Sequence, residues 1–110
     1  MTVAEVDAVA QAFHDGVESQ DAGALAELYH EDARFLAPGF QPAEGRGAIR
    51  ATMQALIDMG ARSLDIEPLD LRVAGDMTIE YGRYSLGLET PDRAMTDVGK
   101  YLIVHETRDD

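Results

Sequence analysis

Residues 3–18 place Val6, Val9, Phe13 and Val17 three to four positions apart, with Glu5, Asp7, Asp15 and Glu18 on the remaining positions. That spacing predicts an amphipathic helix. Asp21 stands where a side-chain oxygen caps a second, shorter helix in "DAGALAELYH", whose apolar stripe is Leu25, Leu28 and Tyr29. "ARFLAP" reads as a short strand stopped by Pro38-Gly39, and "GFQPAEGRG" as loop. Gly47 opens a third helix with Ile49, Met53, Leu56 and Ile57 as its stripe, and Gly60 closes it where a left-handed residue is needed.

Beyond Gly60 the period becomes alternating. Leu64 and Ile66 share one parity, whereas Leu69, Leu71 and Val73 share the other. The phase changes at Glu67-Pro68, and because proline cannot donate to a ladder a β-bulge is expected there. Gly75-Asp76 turns the chain into a strand over 77–89. Here Met77, Ile79 and Tyr81 are odd and Tyr84, Leu86 and Leu88 even, so a second slip is expected at Gly82. "TPDR" turns the chain again into "AMTDVGKYLIVHET", where Leu102, Ile103 and Val104 are apolar on both faces. A sheet apolar on both sides needs two covers. Helices supply one, and a second copy of the chain is the simplest other, so a homodimer through the sheet is expected. The predicted fold is α+β: a cone-shaped, curved antiparallel sheet with three N-terminal helices on one face.

The 110 residues suit one domain spanning 1–110. Acidic residues outnumber basic ones 21 to 9, giving a formal charge of −12 that repels phosphate backbones and anionic lipid. Nucleic acid and membrane surfaces are therefore not expected partners. The absence of cysteine excludes disulfides, thiolate nucleophiles and sulfur metal sites. Glu5 and Asp7 lie where a signal peptide would be basic and then apolar, and no run has membrane-spanning length, which together predict a soluble cytoplasmic protein.

With "AFHDGVESQDAGALAELYHEDARFLAPG", "EGRGAI" and "DVGKYLIVHETRDD" as landmarks, the chain resembles the nuclear-transport-factor-2-like superfamily, in its SnoaL-like and ketosteroid-isomerase-like branch. The resemblance implies a cystatin-like α+β roll with a cavity between sheet and helices, commonly dimerised through the sheet's outer face. It also implies one more strand after a "DDG" turn, whereas this sequence stops at Asp109-Asp110 and the final strand is expected to be missing. Carried over by position, the catalytic tyrosine, general base and protonated aspartate of the isomerases fall on Phe13, Ala37 and Gly99. None of these side chains moves a proton, so isomerisation by that route is not expected.

Other polar groups remain. On odd parity one strand offers Tyr81, Arg83 and Ser85, and the next Asp97, Gly99 and Tyr101. A turn near Pro91-Asp92 is expected to set Arg83 opposite Gly99 or Tyr101, with Asp97 a step away. Arg83 and Asp97 are then the candidate catalytic pair, as anchor and acid–base, for recognising a carboxylate or enol. Tyr81, Tyr101, Ser85, Phe13, Phe35 and Met53 are the candidate ligand-binding residues. The slip at Gly82 leaves a second orientation open, with Arg83 turned to solvent. No metal site is expected from "HED" at 30–32, since adjacent residues seldom face one centre, and no cofactor is implied. His105 is expected to be exposed or at an interface. Two functions follow: a small-molecule cavity protein, as a cofactor-free isomerase, cyclase or hydrolase, or a non-catalytic ligand-binding or dimerisation module.

Overall fold

The computed structural model describes residues 1–108. Helix α1 spans Val3–Glu18, α2 Ala22–Ala26 and α3 Arg46–Asp58; strands β1 Arg34–Phe35 and β2 Ala43–Glu44 form a small ladder between α2 and α3. The long strands β3 (Ala61–Ala74), β4 (Met77–Glu89) and β5 (Ala94–Glu106) follow as a curved antiparallel sheet in that order. The architecture is α+β, three helices and then the meander, as the pattern predicts. The expected final strand concerns the chain at Asp109-Asp110, which lies outside the described residues.

Local chemistry explains the boundaries. Thr2 and Glu5 close a reciprocal capping box at the start of α1, satisfying two otherwise orphan backbone donors. Asp21 caps α2 by accepting from the Ala24 amide at 3.0 Å. The third helix begins one residue before Gly47, at Arg46, because Gly45 takes the non-helical capping position with φ of +87°. Gly60, at φ +116°, ends that helix as expected. The segment read wholly as loop contains β2: Phe35 pairs with Ala43 and Arg34 with Glu44.

Val17, Leu25, Ala26, Ile49, Met53 and Ile57 form the core with Phe13, and Leu64, Ile66, Leu86 and Leu88 pack against it from the sheet. Complete burial of a side chain such as Ile49 contributes about 1.5–3 kcal/mol. The helices lie mainly against β3. The inner face of the sheet is thus covered around Leu64, Ile66, Leu86 and Leu88, while Met95 and Asp97 on β5 remain exposed.

The bulge is where proline predicts it. The β3–β4 register shifts between Pro68 and Asp70, leaving Leu69 extra. No second slip occurs at Gly82. β4 alternates without interruption, and Thr78, Glu80, Gly82, Tyr84, Leu86 and Leu88 all share the helix-facing side.

Candidate functional site

The β4–β5 register decides which side chains meet. The turn from Thr90 to Arg93 joins Glu89 to Ala94, so Arg83 pairs with Lys100, Tyr84 with Gly99 and Gly82 with Tyr101. Odd-numbered residues of β4 therefore share a face with even-numbered residues of β5. This corrects the expected site. Tyr81, Arg83 and Ser85 lie on the outer face, whereas Asp97, Gly99 and Tyr101 lie on the inner one. Arg83 reaches Glu67 at 3.3 Å across the outer face, with its side chain 63% exposed, and does not meet Asp97. The anchor and acid–base pair does not form, because an uninterrupted β4 combined with this turn puts the two residues on opposite sides of the sheet.

The candidate lining is divided as well. Phe13 and Met53 are buried in the packed core. Phe13 meets Tyr29 edge-on at 5.9 Å, and Tyr29 meets Phe35 at 6.1 Å. Burial pushes the Tyr29 phenol up to about 12. An open groove of about 610 Å³ lies over the middle of the sheet, lined by Asp65, Glu67, Arg83, Ser85, Val98 and Lys100 of the outer face, with Ile66, Tyr84 and Gly99 between them in sequence.

On the inner face the register assembles a different group. Glu80 is buried, only 2% exposed, and its carboxylate is held from both sides. The Tyr101 hydroxyl donates to Oε2 at 2.5 Å, and His105 Nε2 lies 2.7 Å from Oε1. A buried carboxylate left alone would be costly, and these two partners remove that cost. His105, expected to be exposed or at an interface, instead points inward, because it shares the face of Thr78, its partner across β4 and β5. One step along, the Tyr84 hydroxyl donates to Asp97 Oδ2 at 3.3 Å. Desolvation raises the Tyr101 phenol well above its ordinary range, and the hydrogen bond to Glu80 adds to the shift. Desolvation also raises the Tyr84 phenol, with the Asp97 charge adding to it. Both tyrosines stay protonated and neutral near pH 7.

Two glycines let the tyrosine rings lie down. A methyl group at Gly99 would sit 2.7 Å from the Tyr84 hydroxyl oxygen, and one at Gly82 would sit 2.6 Å from that of Tyr101. Each ring lies over the glycine opposite it on the neighbouring strand, a pairing that restores packing where a side chain is missing.

Sequence reading missed Glu80, Tyr84 and His105. The signal was the unbroken even parity from Thr78 to Leu88, obscured by apolar odd residues at the start of the strand. Among the described residues no three His, Asp or Glu side chains gather as metal ligands. In the "HED" segment, His30 Nε2 instead lies 2.7 Å from the Glu106 carbonyl oxygen and Asp32 pairs with Arg108 at 2.9 Å. The Arg108 guanidinium holds the Asp32 carboxyl below its usual range. Among the described residues no helix is long and apolar enough to cross a membrane.

His14 tethers α1 to β3. Its Nδ1 lies 3.1 Å from the Leu64 carbonyl and 3.3 Å from Asp65 Oδ1, while Nε2 lies 3.0 Å from Glu18 Oε2. All three partners are acceptors, so the doubly protonated ring satisfies them best. The Leu64 hydrogen bond, then the Glu18 and Asp65 charges, raise the pKa of this imidazole above its ordinary value.

The sequence profile of the SnoaL-like domain matches residues 10–110. No curated protein matches the chain. Several solved structures share its fold. A ketosteroid-isomerase-like protein from Erwinia carotovora atroseptica is 14% identical with a TM-score of 0.82, covering 97% of this chain and 85% of its own. A protein of unknown function from Mycobacterium tuberculosis is 21% identical with a TM-score of 0.79, over 97% of this chain and 67% of that one. An NTF2-like protein with a cystatin-like fold from Novosphingobium aromaticivorans is 24% identical with a TM-score of 0.69, over 89% and 68%.

Proposed function

Because this chain belongs to the SnoaL-like domain family, we propose that it is a small-molecule-binding domain whose ligand lies against the inner faces of β4 and β5. The observation that carries this reading is the pair of flat tyrosine rings, each anchored through its hydroxyl to a carboxylate on a face the helices cover only in part. Aromatic walls with a few fixed polar groups are the usual make-up of a ligand site. Phe13, Ala37 and Gly99 supply no proton donor or acceptor at the isomerase positions, so ketosteroid-type isomerisation is not part of the proposal. Asp97 and the His105–Glu80 pair are the groups able to exchange a proton with a bound ligand, should the domain also catalyse.

The experiment is a fragment screen by thermal shift, followed by NMR of protein with isotope-labelled tyrosine rings. Ligands of the proposed site give nuclear Overhauser contacts to the Tyr84 and Tyr101 rings and none to Tyr81, which lies on the other face. Hits that contact only Tyr81 would overturn the assignment.

A second reading rests on the outer face. Met77, Tyr81, Leu102 and Val104 are exposed side by side there, with Val98 beyond the Arg83–Lys100 pair, an apolar surface on a chain of this size. We propose that a second copy of the chain covers it, giving a homodimer with the two ligand faces turned away from each other.

A further inference from the structure

The inner faces of β4 and β5 differ from the outer ones in the kind of hydrogen bond they offer. The inward residues of β4 are Thr78, Glu80, Gly82, Tyr84, Leu86 and Leu88, and those of β5 are Met95, Asp97, Gly99, Tyr101, Ile103 and His105. None is lysine or arginine. The cations of these strands, Arg83 and Lys100, are both on the outer face. A phenol has one proton to give, and here both are committed, Tyr101 to Glu80 and Tyr84 to Asp97. What each hydroxyl has left is lone pairs, and the exposed Asp97 carboxylate likewise only accepts. Around the two rings, therefore, the face accepts hydrogen bonds and has no phenol donor to spare. A carboxylate, phosphate or enolate ligand would find no lysine, no arginine and no free phenol proton there, since the Met1 ammonium is engaged by Thr78 Oγ1 at 3.0 Å and the His105 ring by Glu80 Oε1 at 2.7 Å.

The rings add a second preference by geometry. Because Tyr84 and Tyr101 lie over Gly99 and Gly82, their faces rather than their edges run along the sheet. The face of an aromatic ring is its negative side and attracts cations. We propose, building on the binding reading above, that the ligand is an organic cation, a protonated or quaternary amine on an apolar body. Its charged head lies on the Tyr84 and Tyr101 rings beside Asp97, and its apolar body extends toward Leu86, where the core begins. This class is opposite to the carboxylate or enol that an inward Arg83 would have selected.

The test compares three molecules of nearly the same shape, choline, 3,3-dimethylbutan-1-ol and 3,3-dimethylbutanoate, which carry one positive, no and one negative charge. Each is titrated into the protein and followed on the Tyr84, Tyr101 and Tyr81 ring signals. Choline is expected to shift Tyr84 and Tyr101 saturably and to bind about tenfold or more tightly than the alcohol. Asp97→Asn is expected to weaken choline about fivefold and the alcohol by clearly less. That substitution alters the formal charge of −12 by only one unit, so such a loss reports the local contact and not the overall field. If the alcohol or the carboxylate binds these rings as tightly as choline, the cationic class is wrong and the small-molecule reading stands. If choline leaves both rings unmoved, the cationic class is also wrong, and the fragment screen judges the binding reading separately.

Discussion

Tyr101 lies over Gly82, so that a methyl group added at Gly82 would sit 2.6 Å from the phenol oxygen and would also collide with the backbone carbonyl of Glu67. The glycine is what allows that phenol to reach Glu80. Gly82→Ala is expected to destabilise the domain by about 1–3 kcal/mol, as overpacking does. Urea unfolding followed by circular dichroism measures it, and an unchanged midpoint would mean that the ring is free to move aside.

Glu80 is the most deeply placed carboxylate near the site, and two side chains depend on it. Glu80→Ala leaves the Tyr101 hydroxyl and the His105 ring without their partner, each at a cost of about 1–3 kcal/mol. Glu80→Gln keeps the shape and can still bond both, with one direction reversed, so it is expected to cost clearly less. Equal losses in the two variants would show that keeping the side chain's volume recovers nothing and that an amide cannot replace the carboxylate between Tyr101 and His105.

The His14 tether predicts a pH dependence. Its folded pKa is raised by the Leu64 carbonyl and the Glu18 and Asp65 carboxylates. Stability from a raised histidine is fully present below the unfolded value near 6.5 and is lost as pH rises through the higher folded value. The stability difference between the natural protein and His14→Gln should thus be larger at about pH 5.5 than at about pH 8.5. A difference that grows with pH would refute the tether.

Association through the outer face predicts a sedimentation mass near twice 12.0 kDa. Leu102 is 66% exposed in the single chain, so Leu102→Glu should change the stability of one copy by no more than about 0.5 kcal/mol. The same variant should sediment as a monomer. A natural protein that is already monomeric at micromolar concentration would remove the dimer.

The sequence made the helices legible because their stripes and caps are local signals. Val6, Phe13 and Val17 are buried on α1, and Ile49, Met53 and Ile57 on α3, as their spacing requires. Pro68 likewise marked the bulge from the chemistry of one residue. The site was harder to read because it depends on which end of each sheet face is covered. The helices cover the inner face where Leu86 and Leu88 lie, while Met77 and Tyr81 are apolar on the outer face at the other end of the same strand. The apolar side thus changes along β4 although the backbone keeps its phase, and the change imitates a slip at Gly82. Arg83 and Asp97 share a face only if the turn sets Arg83 opposite Gly99 or Tyr101, one residue off the Arg83–Lys100 pairing that forms. In the structure the half-buried residues of β5 keep one parity from Gly99 to His105, and Asp97 and Tyr101 share that inner face.

The four residues from Thr90 to Arg93 carry more than a change of direction, since the hydroxyl of Thr90 and the carbonyl of Arg93 fix the length of that loop. Losing or gaining one residue there would rotate every side chain of β5 to the reverse side of the sheet. Lys100 would then stand beside the one remaining ring, Tyr84, in place of Asp97 and Tyr101, turning a surface suited to amines into one suited to acids. Evolution could in this way invert the preference of such a domain by a single-codon deletion, without touching any residue that meets the ligand.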